Sequence, residues 1–181
     1  MNIRVLTILV FTTTGVALAQ DRPAVGSPPP PDAVPRLDFA FEERVTIAPA
    51  VVLGETALGY RQFIGITGGT VAGPKFKGRV VPGGFDFQLT YKASNCTQLS
   101  ADYFIQADDG TNIRVFNEGL SCPGGERPIF RPKVEAPKGA HEWMTRATFV
   151  ATLDLEMPAT KPADGTQPVV EAVRIRFYQV R

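Results

Sequence analysis

From Leu37 onward the apolar residues of this chain recur at every second position, and that alternation limits the fold more than any other feature of the sequence. The clearest run is Ala147, Phe149, Ala151, Leu153, Leu155 and Met157, set against Arg146, Thr148, Thr152, Asp154 and Glu156. Leu37, Phe39, Phe41, Val45 and Ile47 share a second face; Phe85, Phe87, Leu89 and Tyr91 share a third; Val173, Ile175 and Phe177 share a fourth. Successive side chains of a strand point to opposite sides of a sheet, so a period of two marks a strand with one buried face. No segment longer than a turn or two has helical spacing, and turn residues interrupt the runs about every ten residues. The pattern predicts an all-β fold, a single antiparallel β-barrel domain of about 8 to 10 strands with little helix.

Glycine and proline sharpen this reading. Six of the 16 prolines lie in residues 21–36, where they cannot pair in a sheet and favour an extended tether. Nine of the 17 glycines fall between Gly54 and Gly84, where a small barrel needs bulges and close backbone approach. The same stretch fails as a phosphate cradle, because Pro74 follows Gly73 where a P-loop needs Lys and Ser or Thr, and no helical pattern comes after it.

Residues 1–19 carry Arg4, an apolar stretch from Val5 to Val16, and Ala17-Leu18-Ala19 before Gln20, the pattern of a cleaved secretory signal. The run is too short for a comfortable membrane span, and Gln20 stands where a lipoprotein would need Cys. The expected organisation is a signal peptide over 1–19, a Pro-rich linker over 20–36 and the barrel over 37–181. An exported location, periplasmic or secreted, is expected, with no stable membrane span after cleavage.

Loss of Arg4 with the signal leaves 18 basic against 18 acidic side chains. A neutral chain lacks the Lys and Arg surplus that phosphate neutralisation requires, so no nucleic-acid partner is expected. A single histidine, His141, rules out a multi-His metal site, and its neighbours Gly139 and Ala140 place it in an exposed loop. No metal and no cofactor are expected, and the absence of G-x-S-x-G leaves a nucleophile-elbow hydrolase unsupported.

The two cysteines, Cys96 and Cys122, are expected to pair in an oxidising compartment. Two alternating runs, residues 99–107 and 111–119, flank Asp108-Asp109-Gly110, which suits a three-residue hairpin loop with Gly110 left-handed. In that register Cys96 falls opposite Cys122, Tyr103 opposite Val115 and Ile105 opposite Ile113.

Several phrases together resemble the domain-of-unknown-function family 3237. They are Gly68-Gly69-Thr-Val-Ala-Gly73-Pro74, Gly78-Arg-Val-Val-Pro82-Gly83-Gly84-Phe-Asp86, and Asp108-Asp109-Gly110. Phe130-Arg131-Pro-Lys-Val-Glu135, Glu142-Trp143 through Val150, and Arg176 through Val180 add to the resemblance, which spans about residues 37–181. It implies a compact antiparallel barrel with no assigned activity. Family members commonly have Arg before the DDG turn where this chain reads Ala101-Asp102-Tyr103, so an anion-binding role there is not expected.

A barrel interior holds a charge only when it is paired or meets a ligand, so charged residues inside these motifs are the candidates. Asp86 and Arg131 come first, with Glu135, Tyr103 and Trp143 as lining; an internal pair of Arg131 with Asp86 or Glu135 is the structural alternative. In a binding barrel Arg131 and Asp86 would hold the polar end of a small organic molecule between Tyr103 and Trp143. In a cofactor-free isomerase, cyclase or lyase, Asp86 or Glu135 would be the general base and Arg131 the electrophilic partner. In a structural protein the barrel would be filled. Glu43 is in phase with Phe41 and Val45, but a bulge between those two would turn it outward, and that is the expectation.

Overall fold

The computed structural model describes residues 26–125, 127–157 and 170–181. The expected signal peptide and the first residues of the expected linker lie outside these. Contacts divide the chain into two units, Met1–Val34 and Pro35–Arg181. In the first, Pro30 is extended (φ −63°, ψ 152°) and Pro31–Ala33 forms one exposed 3₁₀ turn closed by the Ala33 N–H on the Pro30 carbonyl.

Among the described residues of the second unit, nine strands follow in order: β1 (Leu37–Ile47), β2 (Val51–Glu55), β3 (Gly59–Ala72), β4 (Gly78–Tyr91), β5 (Thr97–Ala107), β6 (Asn112–Ser121), β7 (Ile129–Glu135), β8 (Phe149–Glu156) and β9 (Ala172–Val180). One short helix, α1 (Trp143–Arg146), precedes β8. All pairings are antiparallel, in the order β1-β9-β8-β7-β6-β5-β4-β3-β2, and a further β1–β3 pairing closes eight of the strands into a barrel. β2 stays outside the ring, paired only with β3. The expected all-β barrel is what forms.

The β5–β6 hairpin follows its sequence register. Tyr103 pairs with Val115 and Ile105 with Ile113, and Gly110 takes φ +87° in the turn. The Asp109 carboxylate accepts the Thr111 N–H at 2.9 Å and tightens that turn. At the open end Cys96 and Cys122 are disulfide-bonded with Cα atoms 4.1 Å apart. Replacing both cysteines by serine is expected to lower the unfolding free energy by about 3.5 kcal/mol in the chain-entropy picture, read as a shift of the urea midpoint. An unchanged midpoint would show that the hairpin is held without the crosslink.

The interior divides along the barrel axis. Phe41, Phe76, Phe149 and Phe177 form an aromatic cluster at one end, with Phe41 and Phe177 stacked at 4.5 Å. Ile105, Ile113, Val115 and Met144 of α1 pack into the same core and are fully buried. This end is solid. The other end is hollow.

Two sequence expectations change direction here. In β4 the aromatic side faces outward: Phe85 and Phe87 are 40% and 48% exposed and cluster with Phe63, while Asp86 and Gln88 point inward. In β1 the bulge lies between Phe39 and Phe41, upstream of the expected place, so Leu37 and Phe39 face out while Phe41, Glu43 and Val45 face in. Glu43 is therefore fully buried, contrary to the outward orientation expected for it.

Candidate functional site

The hollow end is a cavity of about 280 Å³, near the lower limit of the ~300–1,000 Å³ usual for small-molecule sites. Its walls are mainly apolar, with Val45, Ile66, Leu99, Phe130, Leu153 and Ile175 among them; Asp86, Gln88, Tyr103 and Asn117 supply the polar groups. Among the described residues that line it, none is basic.

Asp86 reaches the cavity because the bulge at Pro82-Gly83-Gly84 inserts two extra residues between Val81, opposite Phe104, and Phe85, opposite Asp102, an even number that leaves Asp86 on the same face as Val80. Its Oδ1 accepts the Ser100 N–H at 3.0 Å and its Oδ2 accepts Gln88 Nε2 at 2.7 Å. Gln88 is fixed in turn by Gln62, whose Nε2 donates to Gln88 Oε1 at 2.7 Å. Burial raises the Asp86 carboxyl above its ordinary value, and the hydrogen bonds from Gln88 and Ser100 offset this only in part.

Tyr103 stands deeper, on β5. Gly84 makes this possible, since a Cβ at that position would lie 2.4 Å from the Tyr103 Cβ. A 2.5 Å hydrogen bond joins the Tyr103 hydroxyl to Glu43 Oε2. The other carboxyl oxygen of Glu43, Oε1, is buried without a partner. Burial lifts the Glu43 carboxyl to about 8, against a smaller lowering by Tyr103. The Tyr103 hydroxyl is pushed up by burial first and then by Glu43 and Asp86. Asn117 on β6 completes this end: it is 2% exposed, and its Oδ1 is buried with no hydrogen-bond partner.

Of the residues singled out in the sequence, the structure brings Asp86 and Tyr103 together at the cavity and leaves three elsewhere. β7 buries Phe130, Pro132 and Val134, so the intervening Arg131 and Glu135 lie on the outer face, exposed. Arg131 is in register with Glu118, and Glu135 is 3.6 Å from Arg114. Neither can orient a ligand inside the barrel from there, and no internal pair with Asp86 forms. Trp143 opens α1 at the solid end, packed on Phe149 at 6.0 Å, and lines no part of the cavity. His141 is 3.1 Å from Asp109 and packs edge-on against Phe76, also away from the cavity. Asp102 makes a two-point ion pair with Arg114 on the outside.

Glu43 and Asn117 were missed as site residues, though each had a signal. Glu43 shares the phase of Phe41 and Val45, and Asn117 shares that of Ile113, Val115 and Gly119. A polar side chain at an inward step of an apolar alternation was the mark to follow.

An eight-stranded antiparallel barrel, filled at one end and hollow at the other with acidic and amide groups in the hollow, is the class of protein these features define. The chain belongs to the protein-of-unknown-function family DUF3237, whose model matches residues 35–129. A UPF0311 protein of Clostridium acetobutylicum is 38% identical over 81 residues, covering 44% of this chain and 51% of that protein. A hydroalkoxylation enzyme of Penicillium herquei is 37% identical over 100 residues, covering 55% of this chain and 63% of that enzyme. The chain thus spans between half and two thirds of the length of these two relatives. A crystal structure of a protein of unknown function from Clostridium acetobutylicum superposes with a TM-score of 0.67 at 26% identity, covering 82% of this chain and 98% of that one.

Proposed function

We propose that this protein is an exported barrel enzyme that works by acid–base catalysis on a small, largely apolar organic molecule held in the cavity. The observation that carries the reading is the position of Asp86, a carboxyl with a raised pKa at the wall of a mainly apolar hollow. A general base needs a pKa near the working pH, and burial moves Asp86 toward it. The Penicillium herquei relative, named for hydroalkoxylation, suggests the reaction class, addition of a hydroxyl across a carbon–carbon double bond.

The side chains present are sufficient for such a step on an alkene conjugated to a carbonyl. Ionised Asp86 takes the substrate hydroxyl proton as that oxygen bonds to the far alkene carbon, and electron density moves onto the carbonyl oxygen. The proton then returns from Asp86 to the other alkene carbon. Atoms and charge balance, and the carboxylate is regenerated. Tyr103 steadies the carbonyl, the task expected of Arg131 from the sequence. The Cys96–Cys122 disulfide supports an oxidising, exported location, and no helix among the described residues is long and apolar enough to cross a membrane.

The test is cyclisation of a chalcone whose hydroxyl is ortho to the carbonyl, on the acyl ring, so that it can close onto the far alkene carbon through a six-membered ring. Wild-type protein is expected to accelerate ring closure, and Asp86→Asn to lose about 10²-fold or more of that rate while still binding the compound. Binding by both proteins without acceleration by either would leave a ligand-binding barrel and remove the catalytic reading.

A further inference from the structure

We propose that Glu43 is a positioning residue: it sets the direction in which the Tyr103 hydroxyl proton points, and so makes the deep end of the cavity a site for a neutral carbonyl oxygen of the ligand. The proposal rests on the cavity being the ligand site, and it adds the ligand group that this end selects.

Glu43 is fully buried. On β1 it is in register with Val71 of β3 and Ile175 of β9, both apolar. From β5 it meets Tyr103; Asp86 of β4 acts on that same tyrosine, and among the described residues no cation is paired with Glu43. A buried carboxylate without a cation is strongly disfavoured, so the carboxyl is held in its neutral form. A neutral carboxyl carries one O–H that must find an acceptor. On Oε1 that proton would have none, because Oε1 is enclosed and unpartnered. On Oε2 it lies 2.5 Å from the Tyr103 oxygen and can be donated there.

Two consequences follow. With Glu43 donating, the tyrosine's own proton is free to point into the cavity, where it can be given to a ligand oxygen. With Glu43 ionised, the carboxylate takes that proton back, and the cavity is offered only lone pairs. A Glu43 carboxyl near 8 puts the changeover within the range of ordinary buffers. Below it the deep end favours a ketone; above it, an alcohol. The adjacent Asn117 amide, with no protein partner on its oxygen, serves a hydroxyl on the same ligand.

The experiment uses methyl naphthyl ketone and the alcohol made by reducing it, with dissociation constants measured by calorimetry at about pH 6 and about pH 9.5. For the wild type, ketone affinity is expected to fall about tenfold across that interval, the value of one modest hydrogen bond, while alcohol affinity holds. Glu43→Gln should bind the ketone as the wild type does at the lower pH, and do so at both, because an amide N–H donates to Tyr103 whatever the pH. Tyr103→Phe should bind it weakly at both.

Three results would overturn the proposal: the same fall in Glu43→Gln, a parallel fall for ketone and alcohol, or no ketone binding by folded wild type at the lower pH. The pattern without any cyclisation of the chalcone would remove only the catalytic reading. Cyclisation without the pattern would remove only this one.

Discussion

The Glu43→Gln protein is expected to have a much flatter dependence of stability on pH than the wild type, and to be the more stable of the two at pH 8. In the unfolded chain Glu43 loses its proton near 4.5, whereas in the barrel burial holds it until about 8. Between those values the unfolded state is deprotonated and the folded state is not, so raising the pH favours unfolding. Below 4.5 both states keep the proton, and above 8 both have lost it, so the effect is confined to that window. At about 1.4 kcal/mol per pKa unit, the wild type gives up on the order of 5 kcal/mol across it. Asp86, also raised, leaves a smaller slope of the same sign in the variant. Urea midpoints at about pH 5 and pH 8.5 measure this directly. Equal slopes in the two proteins would mean that Glu43 is ionised in the barrel.

The second large effect concerns barrel closure. Gly69 pairs with Val45 where β1 meets β3, at φ +145°, and a Cβ there would lie 2.0 Å from the Arg44 carbonyl oxygen. That atom is backbone, so it cannot swing aside without parting the two strands. Gly69→Ala is expected to cost about 4 kcal/mol or more, a large share of the roughly 5–15 kcal/mol of a typical domain. Gly110→Ala provides the control. Its φ is +87°, but nothing lies within 4 Å of the added carbon, so it carries the backbone strain without the collision. The expected readout is poor soluble yield and a sharply lowered midpoint for Gly69→Ala, with a modest shift for Gly110→Ala. Similar behaviour of the two would separate the seam from the stability of the barrel.

How far the sequence reaches can be judged residue by residue. Local alternation and turn chemistry specify hairpins well, and the β5–β6 pair with its disulfide follows from Asp108-Asp109-Gly110 and two cysteines. Such patterns say which residues share a face, but not which face is inside. In β4 the exposed Phe85 and Phe87, clustered with half-buried Phe63 of β3, make the outer side the more apolar, so the usual rule points the wrong way. In β7 a one-residue distinction separates Phe130, inside, from Arg131, outside, and a charge within a shared motif drew attention to the wrong neighbour. Glu43 turned on the position of a bulge, which depends on how β9 pairs across the barrel and leaves no local mark. The partition of the interior into a solid and a hollow end depends on α1 and on Phe76 packing from a loop, both set by tertiary contact.

That partition governs traffic. Among the described residues, Phe41, Phe149, Phe177 and Met144 stop one end of the barrel, and Leu155, 61% exposed, is among the residues that line the hollow. In about 280 Å³ a molecule of two rings has little room to turn, so the orientation in which it enters the hollow end governs the one in which it meets Tyr103.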